Sequence, residues 1–193
     1  MRDDPFHTSI SEGRTIAILL ALRESGEPII LKDLLPIINH TQTLRSRLDD
    51  MEEEGLVNIL VVREGHKHVD VWLTEMGKDI ALMFAMADML VSPEKGISEK
   101  SLDMRHSDTI FRTLLGREYV VQKELVEAIP SYDAVIRALS MMEDEGLVSR
   151  TDCRIGGREI RYSLTALGRR VAEVYQNAFE KIELLRRPTE MDS

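Results

Sequence analysis

A single cysteine, Cys153, stands in the whole chain, so no disulfide can form within it. That usage suits a reducing compartment. No run approaches the roughly 18 apolar residues of a membrane-spanning helix, and Met1–Ser11 has no signal-peptide core. The expectation is a cytoplasmic protein with no membrane partner. A phosphate-binding loop, a dinucleotide fingerprint and a nucleophile elbow are all absent, so neither enzyme activity nor a cofactor is expected. Cationic excess is lacking too. The net charge of −9 argues against a protein that coats nucleic acid by bulk charge, but it leaves local basic patches open. Divided after Val91, the chain carries roughly −7 in its first part and roughly −2 in its second. A length of 193 residues suits two small domains. Each half would bury only about 60–65% of its unfolded surface, so the halves are expected to lean on each other or on a second chain.

What the chain has instead is self-similarity. Met51–Val57 reads MEEEGLV and Met142–Val148 reads MEDEGLV, with the glycines 91 positions apart. The same shift places Leu73, Thr74 and Gly77 on Leu164, Thr165 and Gly168, and Arg63 and Gly65 on Arg154 and Gly156. From Ile29 to Ala81 no gap is needed, and about 16 of roughly 53 positions are identical, which marks a duplicated domain. Just before it, Glu24–Pro28 is replaced by the shorter Gly116–Glu118.

In the first copy Ser9 and Glu12 suggest a capping box, and Ile16, Leu19, Leu20 and Arg23 follow helical spacing. Gly26-Glu27-Pro28 stops that helix and Ile29-Ile30 reads as a very short strand. Lys32–Ile38 is expected to be a second helix, made tight or irregular by Pro36, where the repeat has Glu127. A third helix runs from a Thr41 cap to about Glu54, buries Leu44, Leu48 and Met51, and ends at Gly55. Val57–Val62 and His68–Leu73 are predicted strands of a hairpin, and fourth helices start at Thr74 and Thr165. The order is that of a winged helix-turn-helix. The fold class expected is α+β, mainly α with small β-hairpin wings, in domains at 9–91 and 108–187 joined by a polar connector at 92–107.

The string from the third helix through EEGLV, a glycine-turned hairpin and LTxxG resembles bacterial and archaeal regulators of the MarR, HxlR and PadR type. REIRYSLTALGRRV in the second copy is nearest the HxlR style, and VWLTEMGKDIA in the first is nearest the MarR style. The resemblance covers most of both copies and implies double-stranded DNA binding, transcriptional regulation and dimer formation. The tandem arrangement departs from the single winged domain usual there.

A helix-turn-helix sets the start of its third helix in the major groove. Candidate base readers are therefore Thr41, Gln42, Thr43, Arg45 and Ser46 in copy one, and Ser131, Tyr132 and Arg137 in copy two. Asp133 makes the second set electrostatically poorer. The wings reverse that order. Arg154, Arg158 and Arg161, with Arg150, Arg169 and Arg170 beside them, are candidates for phosphate or minor groove. Copy one offers Arg63, His66 and Lys67. His66, His68 and Asp70 alternate along a strand, but three donors on an exposed edge are more often plain surface, so no metal is expected.

Met76, Ile80, Met83, Phe84, Ala87 and Leu90 on the first fourth helix form a stripe expected to pack on a second helix. So do Leu167, Val171, Val174, Tyr175, Ala178, Phe179 and Ile182 on the second. These residues mark an interdomain or dimer contact, and a homodimer is the favoured assembly. Leu82, Met86 and Met89 make the first of these helices apolar on its other face as well. The methionines can line a pocket for an unknown small-molecule effector, although core filling explains them more simply. The competing functional class is a protein-interaction module, since tandem winged helices also occur in chromosome-segregation and membrane-sorting complexes.

Overall fold

The structure is a computed structural model that describes residues 8–63, 67–91, 102, 106–129, 131–153 and 159–186. Among these residues it is a mixed α+β protein with seven α-helices and two antiparallel three-stranded sheets. The chain divides into two compact units. One holds Met1–Ile10, Arg14–Ala85 and Ala178–Ser193; the other holds Ser11–Gly13 and Met86–Asn177.

The first copy begins with a short 3-10 turn, Ser9–Ser11, and then α1, Thr15–Ser25. Seven consecutive or near-consecutive residues of α1, from Thr15 to Leu22, are buried, so this helix is covered on most of its circumference. It ends where the sequence predicts, at Gly26, whose φ of 66° is a left-handed cap. The expected capping box is not its start. The Ser9 backbone N–H donates to Glu54 Oε1 at 2.7 Å and the Ser9 hydroxyl donates to Glu54 Oε2. A carboxylate arriving from the third helix of the copy has drawn Ser9 away from its local role.

Strand β1, Ile29–Ile30, leads into a 3-10 helix at Leu31–Leu34 followed by turns. Pro36 explains the irregularity, because its ring and missing N–H break the α ladder. Then come α2, Thr41–Glu53, the hairpin β2, Val57–Val62, with β3, His68–Leu73, and α3, Glu75–Val91. Leu44, Leu48 and Met51 are fully buried along one side of α2. Thr41 is not the cap of α2; it is the first helical residue, after an extended His40. The sheet order is β1-β3-β2, with Ile29 opposite Val71 and Ile59 opposite Val71 on its other side.

The second copy repeats the order: α4, Ser107–Leu114; β4, Val120–Val121; α5, Gln122–Ala128; α6, Tyr132–Asp144; β5, Val148–Cys153; β6, Glu159–Leu164; and α7, Ala166–Arg186. With Glu127 in place of proline, α5 is a true α-helix. Its sheet order, β4-β6-β5, matches that of the first unit. Of the connector at 92–107, residues 92–101 and 103–105 lie outside the described residues. Leu102 is buried and its carbonyl accepts the Tyr175 hydroxyl. Ser107 already begins α4. The Tyr175 ring stacks on Phe111 with centroids 5.1 Å apart, which fastens α4 to α7.

The most strongly repeated residues meet at one junction in each copy. The Thr74 hydroxyl donates to the Gly55 carbonyl at 2.6 Å and accepts the Gly77 N–H at 2.9 Å. Thr165 does the same with Gly146 at 2.6 Å and Gly168 at 3.0 Å. The Thr74 and Thr165 N–H groups donate to the carbonyls of Leu56 and Leu147. A β-carbon at Gly77 or Gly168 would overlap those same carbonyl oxygens. The GLV and LTxxG strings therefore form a lock. The αL glycine turns the chain out of one helix, and threonine caps the next helix while holding that turn. The second glycine lets the two backbones touch.

Candidate nucleic-acid interface

The first two turns of α2 follow a turn at 35–40 and are held from below by Leu44 and Leu48. Burial of those two residues rotates Thr41, Gln42, Thr43, Arg45 and Ser46 outward, and all five are exposed. Arg47 points the other way. Its Nη1 donates to the Ser9 carbonyl and to Thr15 Oγ1, each at 3.3 Å, while Thr15 donates to the same carbonyl at 2.6 Å. Arg47, Glu54, Ser9 and Thr15 thus make a buried polar knot that sequence reasoning did not foresee. The signal was there: Arg47 stands three residues after Leu44, on the inward side of an amphipathic helix.

The acidic run at the end of α2 is partly committed to structure. Glu52 Oε1 accepts the Ile59 N–H at 3.0 Å on the open edge of β2, and Glu54 is buried on Ser9. Asp49 and Glu53 remain exposed, one and two turns beyond Arg45 along the same side of the helix.

In copy two, Ser131 caps α6 by accepting the Ala134 N–H at 3.4 Å. Tyr132, Asp133 and Arg137 are exposed, and the Tyr132 hydroxyl accepts from Gln122 at 3.4 Å. Tyr132 therefore lies on the surface, beside the helix that precedes it.

No protein-family model matches the chain. No characterised protein matches it either. What the surface can do must be read from its own chemistry.

The two hairpins have opposite characters. On the second, Arg161 lies 2.5 Å from Glu159 and 4.2 Å above the Tyr119 ring, and Arg150 lies 3.3 Å from Asp152. Each hydrogen-bonded carboxylate raises its arginine's pKa above the ordinary value, with burial opposing. Both arginines stay charged, but their charge is partly neutralised locally. Arg169 and Arg170 are exposed on the first turn of α7. Arg154 and Arg158 lie outside the described residues. On the first hairpin, Arg63 and Lys67 are exposed, His68 is within 3.4 Å of Asp70, and His66 lies outside the described residues. No group of three metal-binding side chains occurs among the described residues.

The first hairpin also carries exposed Leu60 and Val61, 53% and 56% accessible. Thr151 and Asp152 take those places in the second. Sequence reading looked for charge on the hairpins and passed over this apolar pair.

Of the residues expected at an interdomain or dimer contact, Ile80, Phe84, Ala87, Val171, Tyr175, Ala178 and Ile182 are buried within the single chain. Met76, Met83, Leu90, Leu167, Val174 and Phe179 are half-buried. No described helix is long and apolar enough to cross a membrane.

Proposed function

We propose that this chain is a cytoplasmic transcriptional regulator that binds double-stranded DNA in a sequence-specific way. In this reading it consists of two winged helix-turn-helix repeats of the MarR, HxlR and PadR type. The observation that carries it is the exposure of Thr41, Gln42, Thr43, Arg45 and Ser46 together on the first two turns of α2. A helix with its side chains is about 10–12 Å across, and the major groove of B-DNA is about 12 Å wide. An exposed helix start with short polar side chains, one glutamine and one arginine can therefore enter the groove. Gln42 suits adenine and Arg45 suits guanine, each bidentate pair giving about 1–3 kcal/mol of discrimination. Arg63 and Lys67 stand on the adjoining hairpin, where contact with phosphates would set register without reading sequence.

The reading assigns unequal parts to the two copies. Copy one carries the reading helix. Copy two contributes Arg137, Arg169 and Arg170, together with whatever charge Arg161 retains beside Glu159. No catalytic step, metal or cofactor enters, and an effector of unknown identity would act on top of this. The exposed Leu60 and Val61 favour a second reading, in which the first hairpin binds a protein and the chain is an assembly module.

Selection from a random-duplex pool separates the two. The regulator should enrich a defined motif and bind it with a Kd that rises steeply with salt. Arg45→Ala should lower affinity for that motif about 5- to 150-fold, the equivalent of one lost base pair contact, and relax preference at one position. Arg63→Ala with Lys67→Ala should weaken all duplexes alike and flatten the salt slope by about 1–2. No binding to any duplex at about 50 mM salt, where phosphate contacts are strongest, would end the proposal.

A further inference from the structure

The duplication supplies an internal control for each hairpin. β2 and β5 are outer strands of sheets with matching order, and each pairs with its neighbour in the same register. β5, VSRTDC, sets Arg150 and Asp152 on one face and Ser149 and Thr151 on the other. Charge of this kind keeps an outer strand from pairing with foreign backbone. β2 reads VNILVV, with no charge, proline or glycine along it. Ile59 and Val61 stand in the places of Arg150 and Asp152, and Leu60 stands in that of Thr151. Leu60 and Val61 are each more than half accessible. An exposed apolar outer strand without such protection invites a further strand.

Backbone and side-chain directions together name the occupant. The Ile59 N–H donates to Glu52 Oε1, away from β3. Residues of an antiparallel strand alternate in this respect, so the Val61 N–H and C=O also point outward, and those of Leu60 point to β3. Glu52 closes the edge at Ile59 and leaves the Val61 backbone open. Leu60 and Val61 are consecutive, so their side chains leave opposite faces of the hairpin. A helix laid on one face would cover only one of them. A strand added at the edge pairs with the Val61 backbone and brings side chains beside both. Arg63 and Lys67 are exposed where the two strands run out, and VNILVV has no carboxylate to answer them. A second copy of β2 would bring none either, so charge complementarity favours a foreign strand that carries an acidic residue.

We infer that the outer edge of β2 takes up an extended segment of another protein as a fourth strand of the β1-β3-β2 sheet. Two consecutive apolar residues of that segment lie beside Leu60 and Val61, and an acidic residue at its end meets Arg63 and Lys67. All of these residues of the chain belong to one compact unit. The pairing rests on the protein-binding reading of the first hairpin and needs no nucleic acid. In the regulator reading Arg63 and Lys67 serve phosphates, so a bound strand would compete with a duplex for them. A single short open edge supports a Kd in the micromolar range.

Displayed random peptides of about eight residues, enough for one strand, should be selected against the full chain. The enriched sequences should hold two consecutive β-branched or aromatic residues with an acidic residue to one side. A synthetic peptide of the enriched sequence should slow amide exchange at Val61 by about tenfold or more, with little change at Leu60, which is already bonded to β3. Leu60→Thr with Val61→Asp copies the second hairpin and should weaken binding by about tenfold or more. Val61→Pro removes only the outward N–H, where an outer strand tolerates proline, and should weaken binding about fivefold. Failure to enrich any sequence over the Leu60→Thr, Val61→Asp chain overturns the inference. So does a Val61→Pro chain that binds like the parent, which would leave a hairpin that binds protein through side chains alone. Should Val61→Pro not fold, exchange in the parent decides, and a Val61 amide that stays fast with peptide bound overturns the pairing. Self-association of the chain that the double variant abolishes would make a second copy the occupant, and overturns it as well.

Discussion

Replacing Gly77 by alanine tests the junction on which both repeats are built. In an ordinary helix interior the change stabilises by about 0.5–1 kcal/mol, since alanine has the better helix propensity. At Gly77 the sign should invert. The new methyl would overlap the Leu56 carbonyl oxygen, a backbone atom that cannot rotate away. Relief requires moving the start of α3 off the end of α2. That movement strains the Thr74 hydroxyl bond to Gly55, the Thr74 N–H bond to Leu56 and the cap from Thr74 to Gly77. Overpacking of this kind costs about 1–3 kcal/mol, and a weakened cap about 1 kcal/mol more. The net loss, after the propensity gain, is about 2–3 kcal/mol. It should appear as a lower denaturant midpoint at unchanged m-value, and as a fall of about 4–12 °C in Tm for a chain of this size. Gly168→Ala meets the Leu147 carbonyl in the same way and should behave likewise. If either variant is as stable as the parent, or more so, the two backbones are not in contact and the explanation of the LTxxG motif fails.

Two further outcomes follow from buried polar groups. Glu54→Gln keeps the shape of the side chain but removes the charge that accepts the Ser9 N–H and hydroxyl. A loss of about 1.5–3 kcal/mol is expected in chemical denaturation, and a Glu54→Gln chain of parental stability would show that the knot contributes nothing. Tyr162 is buried on β6, and that burial raises its pKa above the usual tyrosine range, with Arg150 opposing. Because the folded pKa is the higher one, its contribution to stability is full below about pH 10, where the unfolded tyrosine titrates, and is lost as pH rises through the folded value. Tyr162→Phe should therefore flatten the decline in stability above about pH 10, read by denaturation at graded alkaline pH; an unchanged profile would contradict the assignment.

Much of the fold was legible because its signals are local. The hairpin strands at Val57–Val62 and His68–Leu73 stand where the β-rich runs on either side of Glu64–Lys67 predict them. Leu44, Leu48 and Met51 are buried because helical spacing puts them on one side. Gly26 and Gly55 end helices in the left-handed conformation that glycine adopts without penalty. Pro36 announced the 3-10 and turn geometry that replaces the second helix of copy one. The exposure of Thr41 to Ser46, apart from Leu44, follows from the same helical arithmetic.

Other features depended on partners distant along the chain. A serine before a helix reads as a cap until a glutamate 45 residues away takes its hydrogen bonds, as Glu54 does with Ser9. An arginine in a basic hairpin reads as a phosphate ligand until a neighbour claims part of its charge, as Glu159 and Tyr119 do for Arg161. The sequence by itself determined the duplication, the element order and the side of each helix that turns inward, because chain geometry alone sets them. Only the tertiary structure decided which apolar residues of the fourth helices are covered. Phe84 and Met89 are both large apolar side chains, but burial depends on whether another element lies over them. Phe84 has such cover within the chain, and Met89 does not.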